Sequence, residues 1–295
     1  HPTAKVFLGR LRSAVQAEAA ACGEEKVLGV GVAVPGTVRR GTGLVTAAES
    51  LGWFDIDVDG ELSRRSKFPF YYDNNAKLAA TAERLYRKPG SPEIKDYVFI
   101  TAQGGLGTGV VIDGRILHGA DGEASEFGHT LLYADGRKCI CGNSGCWEEY
   151  ASDRALVRIY AEKASIEPDS AAPAAEEIVQ LARTGDGLAL AALSVVARNL
   201  SLGFVNLIYA LNPEAIIVGD CLGKAWDLIE QTVWDGLRQR LPQRYLSRIT
   251  LAPEQLGGDS ILMGAVANVL SHYFTTFDHQ RDGHPKGDVT FVSAE

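Results

Sequence analysis

The 295-residue chain predicts an α/β fold, and three observations carry that expectation. Short apolar runs such as Val27–Val34, Tyr97–Thr101 and Ala215–Val218 alternate with longer stretches of helical periodicity. Glycine and proline clusters punctuate the boundaries between them. A hydrophobic fraction of 46% and a charged fraction of 22% are ordinary for a soluble globular protein. At about 150 residues per domain the length suits two domains with sizeable cores.

The elements follow in order. Leu8, Leu11, Val15 and Ala19 recur at three- and four-residue spacing up to Gly23, an amphipathic helix with a glycine C-cap. A strand over Val27–Val34 ends at Pro35-Gly36, and Leu44–Ala47 makes a further short strand. Phe70–Asp73 reads as a strand leading into a helix over Asn75–Leu85. Lys88-Pro89-Gly90-Ser91-Pro92 marks a domain boundary. After the strand Tyr97–Thr101, Asp113-Gly114 joins Gly109–Ile112 to Arg115–Leu117 as a hairpin with a type I′ turn. Helices are expected over Trp147–Lys163, Ala174–Arg183, Leu188–Leu211, Trp226–Leu241 and Gly264–Phe274, with strands at Ala215–Val218 and Ile249–Ala252. The division is 1–92, 93–274 and a polar tail over 275–295, the last helix packing back on the first part.

With 29 basic and 37 acidic residues the net charge is −8, which argues against a general polyanion binder, because phosphate binding needs an excess of Lys and Arg. No apolar run reaches the ~18 residues a membrane span needs. The polar start His1–Lys5, followed by Arg10 and Arg12, does not read as a signal peptide.

Three of the five cysteines lie within eight residues, an arrangement that suggests a metal site in a reducing compartment rather than a disulfide framework. His129, Cys139, Cys141 and Cys146 have the spacing His-x9-Cys-x-Cys-x4-Cys. Three thiolates and an imidazole make a closed tetrahedral set, the structural type of zinc site. Four protein ligands leave no position for a reactive water, so the metal orders a loop. Cys22 and Cys221 stand apart, and His118 lacks a ligand's spacing.

At this cluster the sequence resembles the ROK family of repressors, open reading frames and sugar kinases. The residues that match its signature are Gly119, Gly122, Glu126, Gly128, His129, Cys139, Cys141, Gly142, Gly145, Cys146 and Glu148. Further matches are Val34-Pro35-Gly36, Leu51-Gly52-Trp53, the Gly105–Gly109 loop, Ile216–Gly219 at the place of an adenosine loop, and Gly264-Ala265. The resemblance covers roughly residues 4 to 274. It implies the actin-like ATPase (RNase H-like) fold, two lobes around a sugar cleft. It also implies that Glu126, His129 and Glu148 bind sugar hydroxyls, with His129 giving one ring nitrogen to zinc and the other to the sugar. Without the motif, Glu126 reads as a solvated loop acid and Glu148 as an acid facing a helix N-terminus.

The chain departs from the family's kinases in three places. Their catalytic base lies in a segment that here reads Asp73-Asn74-Asn75-Ala76-Lys77 and runs on to Glu83. Aligning Glu83 and the alanines puts Asn75 at the base position, where an amide holds a hydroxyl but cannot take its proton. A rival register places Asp73 there and loses the terminal glutamate to Thr81. No Asp-x-Gly-Gly-Thr phosphate turn precedes the first helix, and the adenosine loop carries Asp220.

The resemblance therefore points to the repressor branch. The expectation is a sugar-sensing effector domain of a transcriptional regulator, with Asn74, Asn75, Glu126, His129 and Glu148 on the sugar and a structural zinc on the four ligands. DNA would be read by a helix-turn-helix domain upstream of His1, the first lobe being incomplete. The family further implies a cytoplasmic homodimer or homotetramer without membrane contact. The alternative is an ATP-dependent sugar kinase.

Overall fold

The structure, a computed structural model, describes residues 3–87, 93–167 and 171–281. The boundary expected at Lys88–Pro92 and the last part of the tail, 282–295, lie outside the described residues.

Helix α1 (Ala4–Cys22) ends at Gly23, whose φ of +91° only glycine adopts freely. Strand β1 (Val30–Val34) starts three residues later than the apolar run suggested, because Glu24–Lys26 forms a 3₁₀ turn first. Strands β2 (Thr37–Val38), β3 (Leu44–Ala48) and β4 (Trp53–Asp57) form an antiparallel sheet, followed by the short helix α2 (Val58–Leu62). Strand β5 (Phe70–Asn74) pairs in parallel with β1 and runs directly into α3 (Asn75–Leu85). Apolar residues of α1, β1–β5 and α2 bury one core, centred on Val45, Leu62, Leu8 and Val58.

The largest sheet has the order β10-β9-β6-β7-β8. Its strands are β6 (Tyr97–Thr101), β7 (Gly107–Ile112), β8 (Arg115–Ile116), β9 (Ala215–Val218) and β10 (Thr250–Pro253). The β7–β8 turn has Asp113 at φ +49° and Gly114 at φ +72°, the left-handed pair of the expected type I′ hairpin. Strand β6 is buried at all five positions because both faces are covered. Val98 and Ile100 face the principal core, while Tyr97 and Phe99 face α3.

Helices α4 (Glu148–Ala151), α5 (Asp153–Ala164), α6 (Ala175–Arg183), α7 (Gly187–Leu211), α8 (Asp220–Lys224), α9 (Trp226–Arg238) and α10 (Gln243–Leu246) complete the larger part of the molecule. The single helix expected over Trp147–Lys163 is two helices. Ser152 breaks it with extended backbone, donates its hydroxyl to Glu148 O at 2.7 Å and caps α5 at Ala155 N. Helix α7 corrects the reading that no span-length apolar segment exists. Its best window has a mean hydropathy of 1.8 despite Arg198 and Asn199, and 56% of that window is buried against other helices as a core element.

The last helix, α11 (Ser260–Arg281), begins earlier and extends further than Gly264–Phe274, so seven residues assigned to the tail are helical. It wedges between β1 and α3. A Cβ on Gly264 would lie 1.9 Å from Leu78 O, and one on Gly31 would lie 2.3 Å from Ala265 O, so this approach requires glycine on both sides.

Candidate functional site

Five segments distant in sequence converge on one pocket of about 180 Å³. They are the Pro35-Gly36 turn after β1, Glu49-Ser50 after β3, the start of α3, the loop between β6 and β7, and the segment from Glu126 to Arg154. All five expected sugar contacts, Asn74, Asn75, Glu126, His129 and Glu148, line it.

Their surroundings differ. Asn74 caps α3, its Oδ1 accepting from Ala76 N at 2.8 Å and Lys77 N at 3.3 Å, and its Nδ2 donates to Gly36 O at 2.9 Å. It holds the pocket together more than it offers groups to a ligand. Asn75 stands on the wall, its Oδ1 bonded to the adjacent Ala76 N at 2.9 Å. Asp73, the rival at the base position, faces elsewhere. Its Oδ2 meets His118 Nε2 at 2.9 Å, and both residues line a separate cavity of about 430 Å³.

Glu126 follows Ser125, whose φ of +77° turns the loop sharply while Thr108 Oγ1 holds Ser125 O. Its carboxylate makes no hydrogen bond or ion pair among the described residues. Burial pushes its pKa up, opposed by the charges of Lys77 and His129. Lys77 is 1% exposed and donates to Gly122 O, tying the Glu126 loop to α3. Burial lowers its pKa, and Asp73, Glu126 and Glu123 work against that shift.

Glu148 is 5% exposed at the start of α4. Its Oε2 lies 3.4 Å from Arg154 Nη2, and its Oε1 lies 3.6 Å from His129 Nδ1 and accepts from Cys139 Sγ at 2.9 Å. Trp147, directly before it, is anchored by Nε1 donating to Asn199 O at 3.0 Å and lies so close to α7 that a Cβ on Gly203 would collide with its ring.

A group of residues that could hold a metal ion adjoins this pocket, sharing His129 with it. One ligand atom each from His129, Cys139, Cys141 and Cys146 lies within 4.8 Å of the others. His129 Nδ1 is 3.6 Å from Cys139 Sγ, and Cys141 Sγ is 3.7 Å from Cys146 Sγ. Two sulfurs on a tetrahedral ion with bonds of ~2.3 Å stand about 3.8 Å apart, so the set fits such an ion. Two isolated bridges, Leu131 with Cys146 and Lys138 with Ser144, shape the loop between these residues. At Gly145, φ is +82° and a Cβ would overlap Tyr133 O, so only glycine fits there. With protons on the sulfurs, burial and the Glu148 bond raise the Cys139 pKa, and burial pushes Cys146 up to about 11. All five cysteines are free thiols.

Glu49, Gln103 and Arg154 also line the pocket and were not singled out from sequence. Glu49 directly precedes the Ser50-Leu51-Gly52-Trp53 segment, which was the available signal. Arg154 lies just after the helix break at Ser152, and no local pattern announces that break.

Known proteins resemble the chain over nearly its whole length. The family model described as "ROK family" matches residues 6–272. A xylose repressor of Caldicellulosiruptor bescii is 29% identical over 255 residues, covering 83% of this chain and 63% of the repressor. A glucokinase of Halalkalibacterium halodurans is 31% identical over 252 residues, covering 81% of this chain and 74% of the kinase. The chain thus spans a little under two thirds of the repressor's length. Among solved structures, a ROK family glucokinase from Streptomyces griseus in complex with glucose and AMPPNP superposes with a TM-score of 0.78 at 30% identity, over 90% of this chain and 88% of that one. A ROK family transcriptional regulator, a homologue of the E. coli MLC protein, superposes with a TM-score of 0.74 at 24% identity, over 91% and 71% of the two chains, which bears on fold alone. The mixed α/β architecture is accordingly that of the actin-like ATPase fold shared by these sugar kinases. By sequence and by architecture, the chain belongs to the ROK family.

Proposed function

We propose that this chain is the sugar-binding, signal-receiving part of a ROK-type transcriptional regulator. The observation that carries the reading is the pocket wall at the head of α3. It presents the amide of Asn75 beside Glu126, His129 and Glu148, while the nearest aspartate, Asp73, is engaged by His118 on another face. A ligand hydroxyl finds acceptors in this pocket and no free carboxylate at the base position, so it is held rather than deprotonated. Glu126 accepts from one or two hydroxyls, and Glu148, oriented by Arg154, accepts from others.

Zinc suits the four-ligand set, which is soft, closed and tetrahedral in proportion. Bound there, zinc would supply no reaction chemistry; Cys139, Cys141 and Cys146 would hold it as thiolates, their protons released to solvent, and so fix the loop. His129 would ligate it through Nδ1, the nitrogen facing Cys139, leaving Nε2 for a sugar oxygen. The free thiols accord with a reducing, cytoplasmic setting. In the whole regulator, sugar binding would shift the equilibrium between DNA-binding and released states, the DNA being read by a separate domain.

The rival reading, a sugar kinase, has the glucokinase relatives in its favour. A panel of neutral monosaccharides, tested by thermal shift with and without ATP and Mg²⁺, separates the two. The inducing sugar is expected to raise Tm by about 4 °C at a hundredfold excess over Kd, with no ADP formed. Sugar-dependent ADP production at ordinary kinase rates would overturn the proposal.

A further inference from the structure

The cavity of about 430 Å³ that holds Asp73 and His118 is large enough for a small metabolite. Among the described residues, none lines both this cavity and the pocket at Glu126. The turn between β2 and β3 supplies Arg39 and Arg40, β5 supplies Tyr71 and Tyr72, and α11 supplies Asn268 and His272. Gly41 and Gly43 give the turn φ values of +73° and +65°. A Cβ on Gly43 would lie 2.7 Å from both Asp59 Cβ and the Tyr72 ring, so glycine lets the turn approach this wall. Thr42 Oγ1 closes the turn by donating to Arg39 O at 3.0 Å.

The acids of this cavity are engaged and its cations are not. Asp73 Oδ2 meets His118, and Asp59 Oδ1 accepts from Tyr72 Oη at 3.0 Å and from Ser63 Oγ. Burial, then the bond to Asp59, raises the Tyr72 pKa, so its phenol stays protonated. The guanidinium groups of Arg39 and Arg40 make no hydrogen bond or ion pair among the described residues, although the chain carries a net charge of −8. The Asn268 side-chain amide and the Tyr71 hydroxyl likewise make no hydrogen bond there. The two arginines are exposed, whereas Asp59, Tyr71, Asp73, His118 and Asn268 are half-buried. Charged donors therefore stand on the solvent side and neutral donors deeper. Tyr71 stacks on His272 with ring centroids 4.5 Å apart and planes 28° apart, which makes a flat wall.

We propose that this cavity is a second ligand site, and that it takes a phosphomonoester carried on a small hydroxylated molecule. Two adjacent guanidiniums match the charge of a phosphate dianion, and their planar N–H forks match its oxygens. Asn268 and Tyr71 are placed to donate to the oxygens of the ester's inner end. Asp59 Oδ2, which its bonds to Tyr72 and Ser63 leave over, accepts from a hydroxyl. The flat Tyr71 face lies against the ligand's carbon skeleton. The site is independent of the sugar-binding reading of the other pocket.

The test is calorimetric titration of fructose 6-phosphate, ribose 5-phosphate, glycerol 3-phosphate and inorganic phosphate into the wild-type chain and three variants. Thermal melts establish that each is folded; the arginines are exposed and have no side-chain partners to lose. At least one ester is expected to bind the wild type more tightly than inorganic phosphate does. Its Kd should rise by about tenfold or more in Arg39→Ala/Arg40→Ala. Arg39→Lys/Arg40→Lys keeps the charge without the fork and should fall between the two. Glu126→Gln, in the other pocket, should leave the ester's Kd unchanged. Failure of every ester to bind the wild type would overturn the inference, as would an alanine variant that binds as tightly as the wild type. Equal affinity for inorganic phosphate would overturn the assignment to an ester. A loss in Glu126→Gln as large as in the alanine variant would put the ester in the other pocket and overturn the second site.

Discussion

The pocket at Glu126 and the acid cluster at Asp220 flank the same β6–β7 loop, yet they treat carboxylates in opposite ways. In the cluster, the Asp153 and Asp220 carboxylates are bonded to the chain's own N–H groups and Glu254 to the Asp220 N–H, each close to 2.8–3.0 Å. In the pocket, Glu126 is as strongly desolvated but has no hydrogen-bond partner among the described residues. An acid buried with its bonds complete is structural, whereas one buried with them incomplete carries a cost that a ligand can relieve. Both sites are acidic and loop-borne, and the difference lies in satisfaction rather than composition.

The largest test of the contrast strikes the cysteine loop that holds the pocket's second acid. Replacing Cys139 with Ser removes one of four ligands and should lower zinc affinity by more than the roughly 10–100-fold that losing an outer partner costs. Sugar affinity should fall with it, because Cys139 and His129 both lie against Glu148 Oε1. Zinc content by atomic absorption and sugar Kd by calorimetry report the two losses, and full sugar affinity without zinc would separate the loop from the pocket.

A middle-sized effect is expected from Glu126→Gln. A hydrogen bond to a charged group contributes about 1.5–3 kcal/mol, so the sugar Kd should rise by about tenfold or more with the melting temperature of the free protein maintained. A variant whose Kd stays at the wild-type value would show that the unsatisfied acid is not the ligand's acceptor.

The smallest effect is a pH dependence at the Asp153 and Asp220 cluster. Burial raises the folded-state pKa of Asp153 and Asp220 above the unfolded value. Such groups contribute stability that is full below the ordinary Asp value of ~3.9 and is lost as pH rises through the raised folded value. The wild-type urea midpoint should therefore fall more steeply between those two values than the midpoint of Asp153→Asn/Asp220→Asn. Parallel pH profiles would mean that these carboxyls do not titrate differently in the folded protein.

Much of the cysteine loop was legible because its information is local. Cys139, Cys141 and Cys146 lie within eight residues, and a metal's geometry restricts their spacing. The hairpin turn at Asp113-Gly114 was legible for the same reason. The split at Ser152 was hidden because a serine inside an apolar helical period carries no break signal of its own. The length of α11 was hidden because its packing partners, β1 and α3, lie more than 170 residues away in the chain. Arg154, a pocket residue, lies just after the Ser152 break and was hidden with it.

The sequence by itself determined the α/β class, the family, four residues that could hold a metal ion and five of the residues that line the pocket. These are set by periodicity and short spacings, which a linear chain records directly. Only the tertiary structure decided which acids are spent and which are open. Asp153 meets Gly104 across 49 residues and Asp220 meets Ala102 across 118, while Asp73 is turned away by a histidine 45 residues distant. Whether a carboxylate is satisfied depends on which donors the fold brings within 3 Å of it, a property of packing that no stretch of sequence contains.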